Sequence, residues 1–256
     1  MSTGRIDMKV SEEGKWPEEN HWKRYTSDKR DRLMNPFPGV DDIKTNWSQT
    51  MQDMFVLTML DGKRNGIYVE IGADQPRIVN NTYLLETEFD WEGVSFEFDS
   101  DKVEFFNSMR KNKCICHDAT AYDYVNLFKE RNYPKQIDYL SLDIDPPGQT
   151  LKALTRLPID HRYSVITFET DLYNHLKTYA GTSDVQHQSQ QILRSMGYEM
   201  VVENVSNEGA PYEDWWVDPL VVDRDIIDKF KSNLTAWKVA FNANNLKIDG
   251  EFCILK

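Results

Sequence analysis

Apolar and polar residues change period repeatedly along the chain from residue 46 onward. Short runs rich in Val, Ile, Phe and Tyr alternate with longer stretches whose apolar residues recur three and four positions apart. The short runs are typical of buried strands and the longer stretches of amphipathic helices. The runs that predict strands are 67–72, 93–98, 113–117, 137–142, 164–168, 198–203 and 251–255.

Helices are predicted before the first strand and between the later ones. The helical stretches are 51–60, with Ser48 as the predicted N-cap, and 82–88, 101–110, 121–131, 150–157 and 185–196. Because parallel strands need crossover connections, this alternation predicts an α/β fold with one mainly parallel seven-stranded sheet and helices on both faces. No clear crossover helix separates the last two predicted strands, so one of them is expected to run antiparallel.

Residues 1–45 differ from the rest of the chain because they are polar, charged and irregular, with several prolines. Trp16, Trp22 and Phe37 predict that part of this segment packs on the body of the protein, since large aromatic side chains are buried on average. We therefore expect an N-terminal extension over 1–45 and one domain over 46–256.

The net charge of −12 and the sequence pI of about 4.9 narrow the class of partner. Nucleic acid is a polyanion whose binders usually carry a basic face, so DNA and RNA are not expected as partners. No apolar run approaches the roughly 18 residues that span a bilayer, and Met1–Val10 lacks the apolar stretch of a signal peptide. The cysteines, Cys114, Cys116 and Cys253, do not make a disulfide framework. These features predict a cytoplasmic protein without a membrane span.

Acidic residues follow five predicted strands at the point where each strand ends. In an open parallel sheet, ligands bind outside these carboxyl ends, and five successive strand ends that each offer a carboxylate are hard to explain by packing alone. The carboxylates are Glu70 and Asp74, Glu97 and Asp99, Asp118, Asp143 and Asp145, and Glu169 and Asp171. The sequence therefore predicts a polar ligand site along this edge of the sheet.

A nucleoside cofactor accounts for several of these positions. Gly72 has no Cβ, so the backbone after the first strand can approach a ligand closely. Glu97 is placed to accept hydrogen bonds from both ribose hydroxyls, and Asp118 from an adenine amino group. Glu70 or Asp74 is placed to reach the amino-acid end of S-adenosylmethionine. The alternative for these carboxylates is a helix N-cap, a position that Asp favours.

A dinucleotide is the competing cofactor, and the first turn disfavours it. Pyrophosphate binding at this turn needs Gly-x-Gly-x-x-Gly, which seats the anion on a helix N-terminus. The chain has Gly72-Ala73-Asp74-Gln75-Pro76-Arg77 instead, so the later glycines are missing and an Asp occupies the place of the anion. A P-loop motif is missing as well.

Several short motifs together resemble the FkbM family of methyltransferases, over roughly residues 46–220. The motifs are Ser48-Gln49 with Gln52-Asp53, Tyr68-Val69-Glu70-Ile71-Gly72-Ala73, Asn81-Thr82 with Leu84-Leu85-Glu86, Trp91-Glu92-Gly93-Val94 before Glu97, the run from Ile137 to Asp145, Thr167-Phe168-Glu169 and Glu213-Asp214-Trp215-Trp216. The resemblance implies a class I methyltransferase (Rossmann-like) fold with S-adenosylmethionine as the methyl donor. It also implies O-methylation, often of a sugar hydroxyl on a glycan or natural product.

The cofactor set that follows from the strand ends and from this resemblance lies on the first four strands and just before the first helix. Its members are Gln49, Glu70, Gly72, Asp74, Glu97, Phe98, Asp118, Ala119 and Asp143. By the resemblance, Glu70, Gly72, Glu97 and Asp143 surround the cofactor directly.

Methyl transfer to oxygen also needs a base for the hydroxyl proton. Asp145 and Asp171 are the predicted bases, and His175 is a further candidate because the pKa of histidine is ordinarily near neutral; His117 competes with it. An alternative is that a group of carboxylates binds Mg²⁺ or another divalent cation such as Ca²⁺, which would activate the hydroxyl. That group is Asp143, Asp145, Glu169 and Asp171.

Aromatic residues near the end of the resemblance predict an acceptor surface. Trp215 and Trp216 would offer a face to a sugar ring, with burial in the core as the alternative, and Thr82 belongs to the predicted substrate set. The favoured hypothesis is thus an O-methyltransferase that acts on a sugar hydroxyl of a glycan or glycosylated natural product. The alternative is a non-catalytic binding module that keeps the fold, with a nicotinamide-dependent enzyme as a more distant hypothesis.

Overall fold

The computed structural model describes residues 25–173, 182–207, 209–240 and 248–256. Within them the strands are β1 (Ile67–Ile71), β2 (Glu92–Glu97), β3 (Cys114–Cys116), β4 (Gln136–Leu142), β5 (Arg162–Glu169), β6 (Glu199–Asn207), β7 (Ala210–Val217) and β8 (Ile248–Asp249). They form one sheet in the order β3-β2-β1-β4-β5-β7-β6-β8. Strand β7 is antiparallel to both of its neighbours, and the other pairs are parallel.

The helices of the described residues connect these strands and cover them. They are α1 (Gln52–Met59), α2 (Tyr83–Phe89), α3 (Ser100–Met109), α4 (Tyr124–Glu130), α5 (Pro147–Arg156), α6 (Thr182–Ser195), α7 (Arg224–Ala240) and α8 (Gly250–Ile254). Two of the crossover helices begin at residues that suit a helix start. The Asp99 side chain accepts hydrogen bonds from two amides in the first turn of α3, and Pro147 is the first residue of α5.

Two buried apolar layers lie on opposite faces of the sheet. One layer contains Tyr68 and Trp215 with residues of α1, α2, α7 and α8, and the other contains Val69 and Trp216 with residues of α4, α5 and α6. Neighbouring residues of a strand point to opposite faces, so a sheet covered on both sides buries both of them. The predicted α/β fold is confirmed, with one mainly parallel sheet and helices on both faces; in the described residues this sheet has eight strands, the last of which, β8, is two residues long.

The prediction of a last strand over 251–255 is wrong, because Gly250–Ile254 is helix α8. The Asp249 side chain accepts a hydrogen bond from the Glu251 amide and so caps this helix, while Cys253 and Ile254 are buried on the body. The pattern missed two strands: β7, which forms an antiparallel hairpin with β6, and the two-residue β8. Neither of the last two predicted strands is therefore the antiparallel one: β6 has the same direction as β5, and the antiparallel strand is β7, which lies between 198–203 and 251–255 in the chain.

The segment before α1 packs on the body of the protein through its aromatic residues. Tyr25 and Phe37 are buried, and the Phe37 ring lies 6.5 Å from the Phe89 ring between centroids. Trp16 and Trp22 lie outside the described residues. Ser48 is not the N-cap of α1, which is Met51; instead its amide and hydroxyl donate to the buried Asp53 carboxylate. In the part of the chain that is described, no helix combines the length and the apolar character needed to cross a membrane.

Candidate functional site

A cavity of about 820 Å³ opens at the carboxyl ends of β1, β2, β3 and β4. The strand order reverses between β1 and β4, and this switch point is where open α/β sheets bind ligands. All nine residues of the predicted cofactor set line this cavity: Gln49, Glu70, Gly72, Asp74, Glu97, Phe98, Asp118, Ala119 and Asp143. Tertiary structure thus brings together side chains that span 95 positions of the sequence.

Gly72 makes the turn that opens the cavity above β1. Its φ is +90°, and its amide and that of Ala73 both donate to the Phe96 carbonyl at 3.0 Å. A Cβ at this position would lie 1.6 Å from the carbonyl oxygen of Asp143. The ends of β1 and β4 can therefore meet only if residue 72 lacks a side chain.

Glu97 is held in place by three backbone amides. One of its carboxylate oxygens accepts from Phe98 and Asp99 at 2.8 and 2.9 Å, and the other accepts from Asp74 at 3.1 Å. Carboxylate oxygens have further lone pairs, and this side chain lines the cavity, so it can also accept hydrogen bonds from two vicinal hydroxyls of a ligand.

Asp118 and Phe98 border the part of the cavity above β2 and β3. The amide and hydroxyl of Thr120 donate to Asp118 at 2.8 and 2.7 Å. These hydrogen bonds, that of the hydroxyl most strongly, lower the pKa of the Asp118 carboxyl. The Phe98 side chain is 78% exposed, which is unusual for a phenylalanine. An exposed ring beside a fixed acceptor suits a planar, amino-bearing ligand group.

Glu70 lies at the back of the cavity, 2% exposed, within a network of polar side chains. Its carboxylate accepts from Asn80 and Thr82, each at 3.1 Å, and from Ser95 at 2.7 Å. Burial raises the pKa of Glu70, and the nearby Arg110 acts in the opposite direction. Asp74, the other candidate for the same ligand group, is half-exposed and paired with Lys102.

Three carboxylates meet at the ends of β4 and β5. One oxygen from each of Asp145, Glu169 and Asp171 lies within 4.8 Å of the others. Asp143, the fourth member of the predicted cation set, is hydrogen-bonded to Glu169 instead. Burial raises the pKa of both Asp143 and Glu169, and the Asp143 carboxylate adds to the effect on Glu169. One Glu169 oxygen, Oε2, is buried without a hydrogen-bond partner.

Three predicted substrate residues are not available to a substrate. Trp215 and Trp216 are both fully buried, with Trp215 stacked on Phe55 and its indole N–H bonded to Glu213. Thr82 is fully buried as well, and its hydroxyl belongs to the Glu70 network. The prediction that they contact an acceptor is therefore wrong, because the apolar layers enclose the two tryptophans and the polar network around Glu70 encloses Thr82.

The two histidine candidates have different outcomes. His175 lies outside the described residues. His117 lines the cavity, and its ring contacts the Asp118 carbonyl and the Tyr122 ring rather than the three carboxylates at the ends of β4 and β5. These contacts place His117 on the Asp118 side of the site, so we do not assign it as the base.

Several residues of the cavity wall were missed by the sequence patterns. Asn81 is buried, donates to Ser141 at 2.9 Å and has a side-chain oxygen without a partner; its place in the Asn81-Thr82 motif was a usable signal. Val79 has a φ of +61°, a strained conformation for a β-branched residue, and no sequence feature marks it. Lys102 and Lys152 also line the wall.

A further acidic residue lies behind the three carboxylates at the ends of β4 and β5. Glu213 pairs with Glu169 across β5 and β7, and Gln52 and Trp215 donate to one of its oxygens at 2.9 and 2.7 Å. Burial raises its pKa to about 8, so at neutral pH it is mainly uncharged. This uncharged form limits the repulsion among the carboxyl groups of this region.

No protein-family description and no curated protein matches the chain. Similar folds occur among solved structures at low identity. A protein from Clostridium thermocellum with the provisional name rRNA methylase is 10% identical, with 68% of this chain and 99% of that one covered and a TM-score of 0.46. An O-methyltransferase from Bacillus cereus in complex with S-adenosylhomocysteine is 14% identical, with 67% of this chain and 80% of that one covered and a TM-score of 0.44. The N-methyltransferase NodS from Bradyrhizobium japonicum is 9% identical, with 66% of this chain and 94% of that one covered and a TM-score of 0.43. These values are too low to identify a family or a substrate.

Proposed function

We propose that this protein is an S-adenosylmethionine-dependent O-methyltransferase that acts on a sugar hydroxyl of a glycan or glycosylated natural product. The cofactor assignment rests on one observation: all nine residues of the predicted cofactor set line the same cavity. The volume of about 820 Å³ lies in the range of small-molecule sites. The sugar acceptor rests on the resemblance to the FkbM family.

Each part of the cofactor has a matching group in the cavity. Glu97 accepts from the ribose hydroxyls, and Asp118 accepts from the adenine amino group, with the Phe98 ring beside the base. The ammonium of the amino-acid end lies toward Glu70, because the negative charge of Asp74 is already paired with Lys102. This order runs along the strand ends from β3 to β1.

The reaction moves a methyl group from the sulfonium to a hydroxyl oxygen, and the hydroxyl proton must pass to a base. Asp145 and Asp171 are the proposed bases, since they lie at the strand ends next to the cofactor site. Asp145 is exposed and Asp171 is buried, so Asp145 is the one that an acceptor reaches from solvent.

A divalent cation fits the same group of carboxylates. Asp145, Glu169 and Asp171 offer oxygens that lie close together, and Glu169 Oε2 has no other partner although it is buried. Hard cations such as Mg²⁺ prefer carboxylate oxygens. When bound, such an ion would lower the pKa of an acceptor hydroxyl and orient a sugar diol.

Replacing Glu97 with alanine tests the cofactor assignment. The variant loses the acceptor for the ribose hydroxyls, so its affinity for S-adenosylhomocysteine should fall by about 1.5–3 kcal/mol for each hydrogen bond lost. Isothermal calorimetry measures this loss, and the unfolding midpoint without ligand shows that the variant is folded. Glu104→Ala, an exposed glutamate on α3, is the matched control and should bind normally.

Unchanged affinity in Glu97→Ala would defeat the ribose assignment. Thermal unfolding of the unmodified chain with S-adenosylmethionine, S-adenosylhomocysteine and NAD in parallel separates the hypotheses about the cofactor, because a ligand that binds only the folded state raises the midpoint. Stabilisation by NAD alone would support the nicotinamide-dependent alternative and contradict the proposal.

A further inference from the structure

Arg110 occupies an unusual place for an arginine. It is the C-cap residue of α3, and its side chain is completely buried beneath the loop that follows β1. A buried guanidinium needs a partner for each of its five N–H groups. The acceptors are Glu86 at 2.8 and 3.0 Å, the Pro76 carbonyl at 2.9 Å, the Asn80 side chain at 3.0 Å, the Thr82 hydroxyl at 3.1 Å and the Tyr68 hydroxyl at 3.2 Å.

Two of these acceptors connect Arg110 to the cofactor cavity. Asn80 accepts from Arg110 through its oxygen and donates to Glu70 through its nitrogen. The Thr82 hydroxyl accepts from Arg110 and donates to the other Glu70 oxygen. Arg110 itself does not line the cavity, whereas Glu70 does. The two bridging side chains therefore fix the Glu70 carboxylate from behind.

Arg110 acts on two buried acidic residues in different ways. Glu70 and Glu86 are both buried, and burial raises the pKa of Glu70 while the positive charge of Arg110 opposes this effect. Glu86 forms the direct ion pair with Arg110, while the partners of Glu70 are the neutral Ser95, Asn80 and Thr82. Among the described residues Glu70 thus has neutral hydrogen-bond partners, and it lies on the wall of the cavity, where a cationic ligand group would supply the opposite charge.

We propose that Arg110 is a positioning residue for the amino-acid end of the cofactor. It holds the Glu70 side chain through Asn80 and Thr82 in the orientation that receives the ligand's ammonium, although Arg110 does not touch the ligand. This inference rests on the proposed function, and it adds to it a residue that acts through Asn80, Thr82 and Glu70.

Two ligands that share an adenosine and a sulfur atom test the inference. S-adenosylhomocysteine carries the amino-acid end, and 5′-methylthioadenosine lacks it. In Arg110→Met, calorimetry should show a loss of at least about tenfold in affinity for S-adenosylhomocysteine and a change within about twofold for 5′-methylthioadenosine. The matched control is Arg131→Met, because Arg131 is the exposed C-cap of the next crossover helix, α4; it should bind both ligands normally.

An equal loss of affinity for both ligands in Arg110→Met would overturn the inference, because it would mean that Arg110 only maintains the shape of the site. If this variant does not fold, Thr82→Val removes one bridging hydroxyl and leaves the buried charges in place. Thr82→Val should show the same selective loss, and unchanged affinity for S-adenosylhomocysteine would contradict the inference. An unmodified chain that binds neither ligand would reject the proposed function itself.

Discussion

The Gly72→Ala variant is expected to lose about 3 kcal/mol or more of its free energy of unfolding, together with its cofactor site. The added Cβ would meet the Asp143 carbonyl oxygen at 1.6 Å, and the φ of +90° is one that alanine rarely adopts. The clash cannot relax by turning a side chain. Asp143 donates its amide to Ile71 at 2.9 Å, so moving it would break the pairing of β1 with β4.

Urea unfolding followed by circular dichroism measures this loss. Gly148→Ala is the matched control, because a Cβ at Gly148 meets nothing within 4 Å and its φ lies outside the left-handed region. This control should change the free energy of unfolding by about 1 kcal/mol at most, since it lies in the first turn of α5. Equal midpoints for Gly72→Ala and the unmodified protein would show that the turn above β1 is not as rigid as described.

Asp145→Asn and Asp171→Asn are expected to lower turnover about 10²- to 10⁴-fold, the usual contribution of a general base. Asparagine keeps the shape of the side chain but has little basicity and no negative charge. Labelled S-adenosylmethionine with a panel of sugars and nucleotide sugars provides the assay. Asp101→Asn is the control, because Asp101 is an exposed carboxylate on α3 and is not one of the three carboxylates at the ends of β4 and β5.

The same assay with EDTA distinguishes a metal from a lone base. A bound cation predicts that EDTA abolishes turnover in the unmodified protein and that added Mg²⁺ restores it. Insensitivity to EDTA, with turnover lost in either variant, would reject the cation and keep the base. Turnover near that of the unmodified protein in both variants would show that neither Asp145 nor Asp171 is catalytic.

Local sequence patterns were sufficient for the elements from β1 to β6. The central strands β1, β4 and β5 are short runs rich in β-branched and aromatic residues, since they are buried on both faces, and the helices that connect the strands show one apolar side. The acidic residues at the strand ends are also local signals, because the end of a strand is recognisable within a few residues. Glu97 and Asp143 are recognisable in this way, although their position relative to each other is not.

Strand β7 could not be recognised locally because its sequence contains Glu213 and Asp214, which are both buried. Gln52 on α1 and Trp215 donate to Glu213, while Gln186 and Gln190 on α6 donate to Asp214. These partners offset the cost of burying the carboxyl groups. They come from other elements, so a pattern confined to the strand does not reveal them.

The sequence by itself determined the alternation of elements and the carboxylates at the strand ends, because both depend on neighbours a few residues apart. Only the tertiary structure decided which polar residues are buried. Arg110 belongs to a basic, polar stretch typical of a surface, yet Glu86, 24 positions earlier, and the loop after β1 enclose it completely. Whether a charged side chain faces water or a partner is fixed by the element packed against it, and that element lies elsewhere in the chain.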